Sequence, residues 1–290
     1  MSREKVNWEV TPNFLCVGFF CHDVQETTYI LGGTAAYASL IARKLMGTSV
    51  AVLTSVGEDF LFYEKFERAG ITICNKRAEK TTVFNNVYQD GHRTQYIYER
   101  AETLTAADLP TAWRETPIVK MCLIADEVDA TLMNSFPNAL IAATIQGWLR
   151  KWDDSGKIAA KEMDWTLLEK VDIVLMSEVD IAGMEYVLPK IIESVAIVVV
   201  TKGAAGAVVY HQNETLFFPV FPVEEVDPTG AGDVFAVSFL VKYATTKSIT
   251  QAATFAHVAA SFVVEGVGVQ LPDLEAINKR WKAYQLLLDI

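Results

Sequence analysis

Val226-Asp227-Pro228-Thr229-Gly230-Ala231-Gly232-Asp233 runs straight into the apolar stretch Val234-Phe235-Ala236-Val237-Ser238-Phe239-Leu240. A turn rich in small residues therefore opens an apolar helix. Gly230 and Gly232 carry no Cβ, so the backbone can bend tightly there and a ligand can approach it closely. The free N–H groups of a first helical turn point outward at the positive end of the helix dipole, which makes an anion site. Asp233 is the odd member, because a carboxylate beside an anion site repels the anion. Its placement makes sense if it acts as a base toward a hydroxyl that attacks a phosphoryl group held by those N–H groups. Read as an ordinary first-turn Asp, it would instead gain ~0.3–1 kcal/mol from the dipole.

On either side of this stretch the chain reads as apolar strands alternating with helices. Phe14-Leu15-Cys16-Val17, Val50 to Ser55, Val119 to Ala125, Ala139 to Ala143, Val171 to Met176 and Ala196 to Thr201 are short apolar runs of the kind that form buried strands. Helical patterns follow in the stretch opened by Leu31-Gly32-Gly33-Thr34 and running to Leu45, from Phe60 to Ala69, after Gly232, and from about Thr250 to Glu265. The alternation predicts an α/β fold with a doubly wound, mostly parallel sheet in three layers. From about 81 to 100 the period changes to two, with Asp90-Gly91 between alternating segments, the signature of a β-hairpin. Gln212-Asn213 marks a second hairpin turn.

Composition narrows the function classes. The chain has 290 residues, 51% of them hydrophobic, and a formal net charge of −11, enough for one large domain with a substantial core. No basic stripe suggests nucleic acid, and no run approaches the ~18 apolar residues that a membrane helix requires. Cys16, Cys21, Cys74 and Cys122 show no Cys-x-x-Cys spacing, so reduced thiols and a cytoplasmic location are expected. There is no Gly-x-Gly-x-x-Gly after the first strand and no Gly-x4-Gly-Lys-Ser/Thr, which leaves a dinucleotide-binding dehydrogenase and a P-loop ATPase unsupported.

The string Asp-x-Thr-Gly-Ala-Gly-Asp, followed by Val-Phe and an apolar helix near the C-terminal end, resembles the signature of the ribokinase-like (PfkB) carbohydrate kinases. The resemblance extends over nearly the whole chain, and it implies one ribokinase-like domain over 1–290 with a β lid at about 81–100. It also implies an ATP- and Mg²⁺-dependent transfer of the γ-phosphoryl group to a hydroxyl of a small polyhydroxylated substrate. Gly230, Ala231 and Gly232 would form the anion hole and Asp233 the base. Asp227 would shape a loop that in many members binds a monovalent cation such as K⁺.

By the same resemblance, Asp23 would bind acceptor hydroxyls, and an ionised carboxylate can indeed accept from two vicinal hydroxyls at once. Gly32 and Gly33 would bring backbone close to the sugar, although Tyr37 stands where ribokinases commonly have Asn. Asn85, Asn86, Arg93 and Tyr96 are lid candidates to face the acceptor, and the lid is often a homodimer contact. Gln146 to Arg150, with Trp152-Asp153-x-x-Gly156, resembles a branch that includes plant myo-inositol kinases; Arg150 could meet phosphate oxygens. Ser177-Glu178-Val179-Asp180 sits where many members have Asn-x-x-Glu, which makes Asp180 or Glu178 the candidate supporting Mg²⁺. Ser177, Thr201, Gly203, Gly206, Thr229, Gly266 and Gly268 would lie along the nucleotide, with His257 on the helix beside the adenine pocket. Within the family, the acceptor could be a sugar, an inositol or a nucleoside. A non-catalytic sugar- or nucleotide-binding relative is the alternative from another class, favoured by the altered Asn-x-x-Glu position and opposed by the intact Asp233.

Overall fold

The structure is a computed structural model that describes residues 8–89, 92–266 and 273–288. The chain divides into two compact units. One runs to Ser39 and resumes over Ser49–Val171; the other comprises Leu40–Thr48 and the chain from Asp172 onward.

The first unit is built on a parallel five-stranded sheet. Its strands are β1 (Phe14–Val17), β4 (Val50–Val56), β5 (Thr72–Arg77), β8 (Ile118–Cys122) and β9 (Leu140–Thr144). Pairing gives the order β9-β8-β1-β4-β5, every pair parallel. All four residues of β1 and all seven of β4 are buried, as expected of parallel strands covered on both faces. A separate four-stranded sheet consists of β2 (Cys21–Gln25), β3 (Thr28–Gly32), β6 (Thr82–Gln89) and β7 (His92–Glu99), in the order β3-β2-β6-β7. The expected 81–100 hairpin is therefore β6 and β7, although its Asp90-Gly91 turn lies outside the described residues. What the sequence reading missed is its partner hairpin, β2–β3, turned at Glu26 with positive φ. Helix α1 (Thr34–Met46) follows β3, and α2 is only Tyr63–Arg68, shorter than the helix expected from Phe60 to Ala69. Phe60 instead packs with Phe20, Phe66 and His22 in an aromatic cluster. The unit closes with the one-turn α3 (Ala130–Met133) and a small hairpin, β10 (Arg150–Trp152) and β11 (Ile158–Ala160).

The second unit carries β12 (Ile173–Ser177), β13 (Ile197–Thr201), β14 (Ala207–His211) and β15 (Glu214–Phe218). The β12–β13 pair is parallel, and β14 and β15 continue antiparallel. Gln212 and Asn213 both have positive φ, which gives the tight hairpin turn that the sequence indicates. Helix α4 (Val187–Ser194) follows β12, and α5 (Ala231–Thr246), α6 (Ile249–Val264) and α7 (Leu274–Leu288) complete the unit. Helices α5 and α6 each bury a run of side chains on more than one face, Val234–Leu240 in one and most of Ala252–Val263 in the other. Helix α7 docks through Trp281, whose ring meets Phe255 edge-on and whose Nε1 donates to Thr254 Oγ1 at 3.0 Å. Among the described residues, no helix is long and apolar enough to cross a membrane.

Candidate active site

The opening stretch folds as its composition implies. Asp227 Oδ1 accepts from Thr229 N–H at 2.9 Å, a turn closed by its own side chain. Gly230 has φ 82° and precedes the first turn of α5, a left-handed conformation that favours glycine. Nothing lies within 4 Å of where a Gly232 Cβ would stand, while Ala231 N–H donates to Pro228 O and Val234 N–H to Gly230 O, both at 3.1 Å. Asp233 lies in that first turn and is half-buried. The loop is tied to the end of α6 by Val226 N–H and Asp227 N–H, both donating to Val264 O, at 2.7 and 3.2 Å.

A cavity of about 300 Å³ in the second unit gathers several of the expected nucleotide residues: Ser177, Thr201, Gly203 and Gly206 line it together with Ala231 and Gly232. Gly206 (φ 97°) is pressed against β15, where any Cβ would meet Phe218 O at 2.3 Å. The rest of the wall is largely apolar, with Val220, Phe221, Val223, Phe235, Ala260 and Val264, but it also carries the Glu225 carboxylate and the Ser261 hydroxyl. His257 also lines it. Burial holds its imidazole down to about 4, against a hydrogen bond with the Phe218 backbone that favours the charged form, so the ring is neutral at physiological pH. The sequence reading overlooked the 220–223 wall, although Val220-Phe221-Pro222-Val223 is an apolar run just ahead of the glycine turn. Helix α7 supports it: Tyr284 Oη donates to Pro219 O (3.1 Å) and Val220 O (3.3 Å), and its ring meets Phe221 edge-on. Thr229 is exposed outside this lining, Gly266 has open space around it, and Gly268 lies outside the described residues.

Ser177 and Asp180 form a capping box around a single 3₁₀ turn: Asp180 Oδ2 accepts from Ser177 N–H at 2.8 Å, and Ser177 Oγ accepts from Val179 N–H at 3.2 Å. Asp180 is thus a loop-shaping carboxylate, while Glu178 in the same turn is exposed. Among the described residues, no three His, Cys, Asp or Glu side chains converge on a common point.

In the first unit the four-stranded sheet sorts the remaining candidates by face. Asp23 pairs with Phe84 and Ile30, and Phe84 with Ile97, so strict alternation puts Asn86, Gln95 and Arg93 on the face of Asp23. Asn86 Oδ1 accepts from Arg93 Nε and Gln95 Nε2, both at 2.9 Å. Asn85 and Tyr96 fall on the opposite face, where Asn85 Nδ2 donates to Tyr98 Oη at 2.9 Å. The structure thus joins Arg93 to Asp23 and separates Asn85 from both. Gly32 explains how the carboxylate fits, since a Cβ there would meet Asp23 Oδ2 at 2.4 Å. At Gly33, with φ 96°, a Cβ would meet Phe19 O at 2.4 Å. Burial pushes the Asp23 carboxyl up to about 6, and the Arg93 guanidinium pulls the other way. Tyr37 spends its hydroxyl on Leu31 O at 2.6 Å. Arg150 donates to Ile124 O at 3.1 Å, and its charge is felt by the buried Cys21 thiol.

Glu127 is a further carboxylate beneath this sheet that the sequence did not single out. It is fully buried and accepts from Ala125 N–H (2.7 Å), Ile124 N–H (2.9 Å) and Phe19 N–H (3.4 Å). It therefore pins the exit of β8 to the segment after β1.

The start of α5 thus lines the cavity on an α/β scaffold, and the family match makes the chain a phosphotransferase. Residues 21–277 match the pfkB family carbohydrate kinase domain, and the chain belongs to that family of sugar and polyol kinases. It is 25% identical over 284 residues to the inositol 3-kinase of Arabidopsis thaliana, covering 91% of this chain and 77% of the relative. The fructokinase of Xylella fastidiosa, solved with bound ATP, superposes with a TM-score of 0.75 at 18% identity over 94% of this chain and 98% of that one. A pyrophosphate-dependent kinase of the ribokinase family, solved with a pyrophosphate analogue and myo-inositol, superposes with a TM-score of 0.73 at 20% identity over 87% and 94%. These likenesses establish the ribokinase-like fold, of the α/β, three-layer class.

Proposed function

We propose that the protein transfers the γ-phosphoryl group of ATP to a hydroxyl of a small cyclic polyol or sugar. The observation that carries the reading is the second-unit cavity, where the start of α5 at Ala231 and Gly232 adjoins a largely apolar wall. Pyrophosphate needs only the anion site; the wall of Val220, Phe221 and Val223 suits a planar base as well. N–H groups of the first turn of α5 hold the transferring phosphoryl oxygens, and Asp233 accepts the hydroxyl proton. Asp23 accepts hydrogen bonds from acceptor hydroxyls, with Arg93 and Asn86 beside it. Asp180 or Glu178 of the Ser177–Asp180 turn would support Mg²⁺, which would supply neutralisation of phosphate charge. The Asp227 loop is the candidate for a monovalent cation such as K⁺. The inositol 3-kinase relative and the Tyr37 substitution favour a cyclic polyol over ribose. Exposed Tyr29, Val87 and Tyr98 on the outer lid face suit a second copy of the chain, which light scattering would register as a dimer.

The test is product release from ATP and from pyrophosphate across inositols, hexoses, pentoses and nucleosides. Turnover with ATP and a cyclic polyol is expected. Turnover with pyrophosphate alone would refute the donor, and nucleoside preference would refute the acceptor class.

A further inference from the structure

The hairpin β10–β11 does more than follow β9: its tip is bonded to the edge of the lid sheet. Ile97 N–H, on β7, donates to Gly156 O at 2.8 Å, and Tyr96 and Lys157 form an antiparallel bridge. The tip is pre-shaped by Asp153, whose Oδ1 accepts from Ser155 N–H (2.9 Å), Ser155 Oγ (2.6 Å) and Lys157 N–H (3.1 Å). Gly156 has φ 78°, and a Cβ there would meet Ile97 O at 2.1 Å. No residue with a Cβ can sit against β7 at this distance without moving one of the two backbones. At its other end the hairpin begins with Arg150, bonded to Ile124 O, and is anchored by Lys161, whose Nζ pairs with Asp126 at 2.5 Å.

We infer that Gly156 is a positioning residue for the acceptor, through a strap, residues 150–160, that sets where the lid edge lies. The inference rests on the reading of the Asp23 face as the acceptor site. Arg93 and Gln95 are carried by the strand that the strap holds, and the hydrogen bonds to Asn86 transmit its position to the face of Asp23. A displacement of about 1 Å at a positioning contact can cost on the order of 10²-fold in turnover efficiency, because reacting groups must be held near their attack geometry.

The experiment compares Gly156→Ala and Asp153→Ala with Gly183→Ala. Gly183 has nearly the same φ, 77°, but open space at its Cβ position, so it carries the backbone strain without the collision. Acceptor KM, donor KM and amide exchange at Ile97 are measured on each full-length protein. In Gly156→Ala the acceptor KM is expected to rise about tenfold or more while the donor KM stays within about twofold, with faster exchange at Ile97. Asp153→Ala, which adds no atom at the contact, is expected to show the same pattern at smaller amplitude and keeps the test open should Gly156→Ala fail to fold. Gly183→Ala should change neither KM. Faster exchange at Ile97 with an unchanged acceptor KM overturns the positioning role. Equal rises in both KM values overturn it too, because they would report general loosening. Asp23→Ala is run in parallel: if it leaves the acceptor KM unchanged, the acceptor-site reading has failed and the inference falls with it. A raised acceptor KM in Asp23→Ala but not in the strap variants sinks the strap alone.

Discussion

Lowering the pH should weaken acceptor use before it affects the donor, and Asp23 sets where this happens. Its carboxyl is held at about 6 by burial against Gly32 and the lid sheet, against an ordinary value of 3.8. The ionised form, the one able to accept from two hydroxyls, dominates above about pH 6 and is lost as pH falls through it. For a group titrating near 6, roughly nine-tenths is ionised at about pH 7 and roughly one-tenth at about pH 5, so acceptor kcat/KM should drop about tenfold across that interval. A carboxylate of ordinary acidity would barely respond there. Arg93 favours the charged form, so Arg93→Gln should move the break to higher pH, and Asp23→Asn should remove it while lowering efficiency throughout. Initial rates with varied acceptor at saturating donor, taken from about pH 8 to 5 in a constant-ionic-strength buffer, would read the profile. A flat acceptor kcat/KM over this range, or a break that Asp23→Asn leaves in place, would refute the assignment.

Asp233→Asn should retain donor binding and lose ~10²–10⁴-fold in kcat, the usual contribution of a general base; a near wild-type kcat in the purified variant would remove Asp233 from the mechanism. Asp180→Asn keeps an oxygen for Ser177 N–H, so the melting temperature should hold while half-maximal rate requires more Mg²⁺. If the Mg²⁺ titration moves in Glu178→Gln instead, the exposed neighbour is the supporting carboxylate. Glu127→Gln replaces an all-acceptor group facing three backbone N–H donors, which should cost about 1–3 kcal/mol by urea unfolding because a buried donor is left unmatched. An unchanged midpoint would mean that the β8 exit is held by packing alone.

Much of this architecture was legible because its signals are local. Val50 to Val56 and Ile197 to Thr201 are β-branched and apolar runs that hardly fit anything but buried strands, and Gly230 needs only its neighbours to announce a left-handed turn. The β2–β3 hairpin was not legible: Cys21-His22-Asp23-Val24-Gln25 alternates only weakly, and its pairing with β6 spans about sixty residues. The faces of the four-stranded sheet were equally hidden. Asn85 and Asn86 are chemically identical, and only the register with β2 decides which one shares the side of Asp23. Glu127 gave no warning because its three partners are backbone N–H groups, which a sequence cannot display. The cavity wall at 220–223 depends on α7, and the contacts of Tyr284 with Pro219 and Val220 link positions more than sixty apart.

The four cysteines, each buried, give the molecule a built-in clock for its own opening. Burial pushes the Cys16 and Cys21 thiols well up and Cys74 to about 11, so little thiolate is available to an alkylating reagent while the chain is closed. Labelling should therefore be slow in the native protein and should proceed at the rate at which each site is uncovered. Cys21 lies under Gly32 and beside Asp23, whereas Cys16 and Cys122 sit in the central strands β1 and β8. Their labelling order, read by peptide mass, would separate a breathing of the acceptor face from a global unfolding event. Acceptor added beforehand should then slow modification of Cys21 selectively and leave the strand thiols at their former pace.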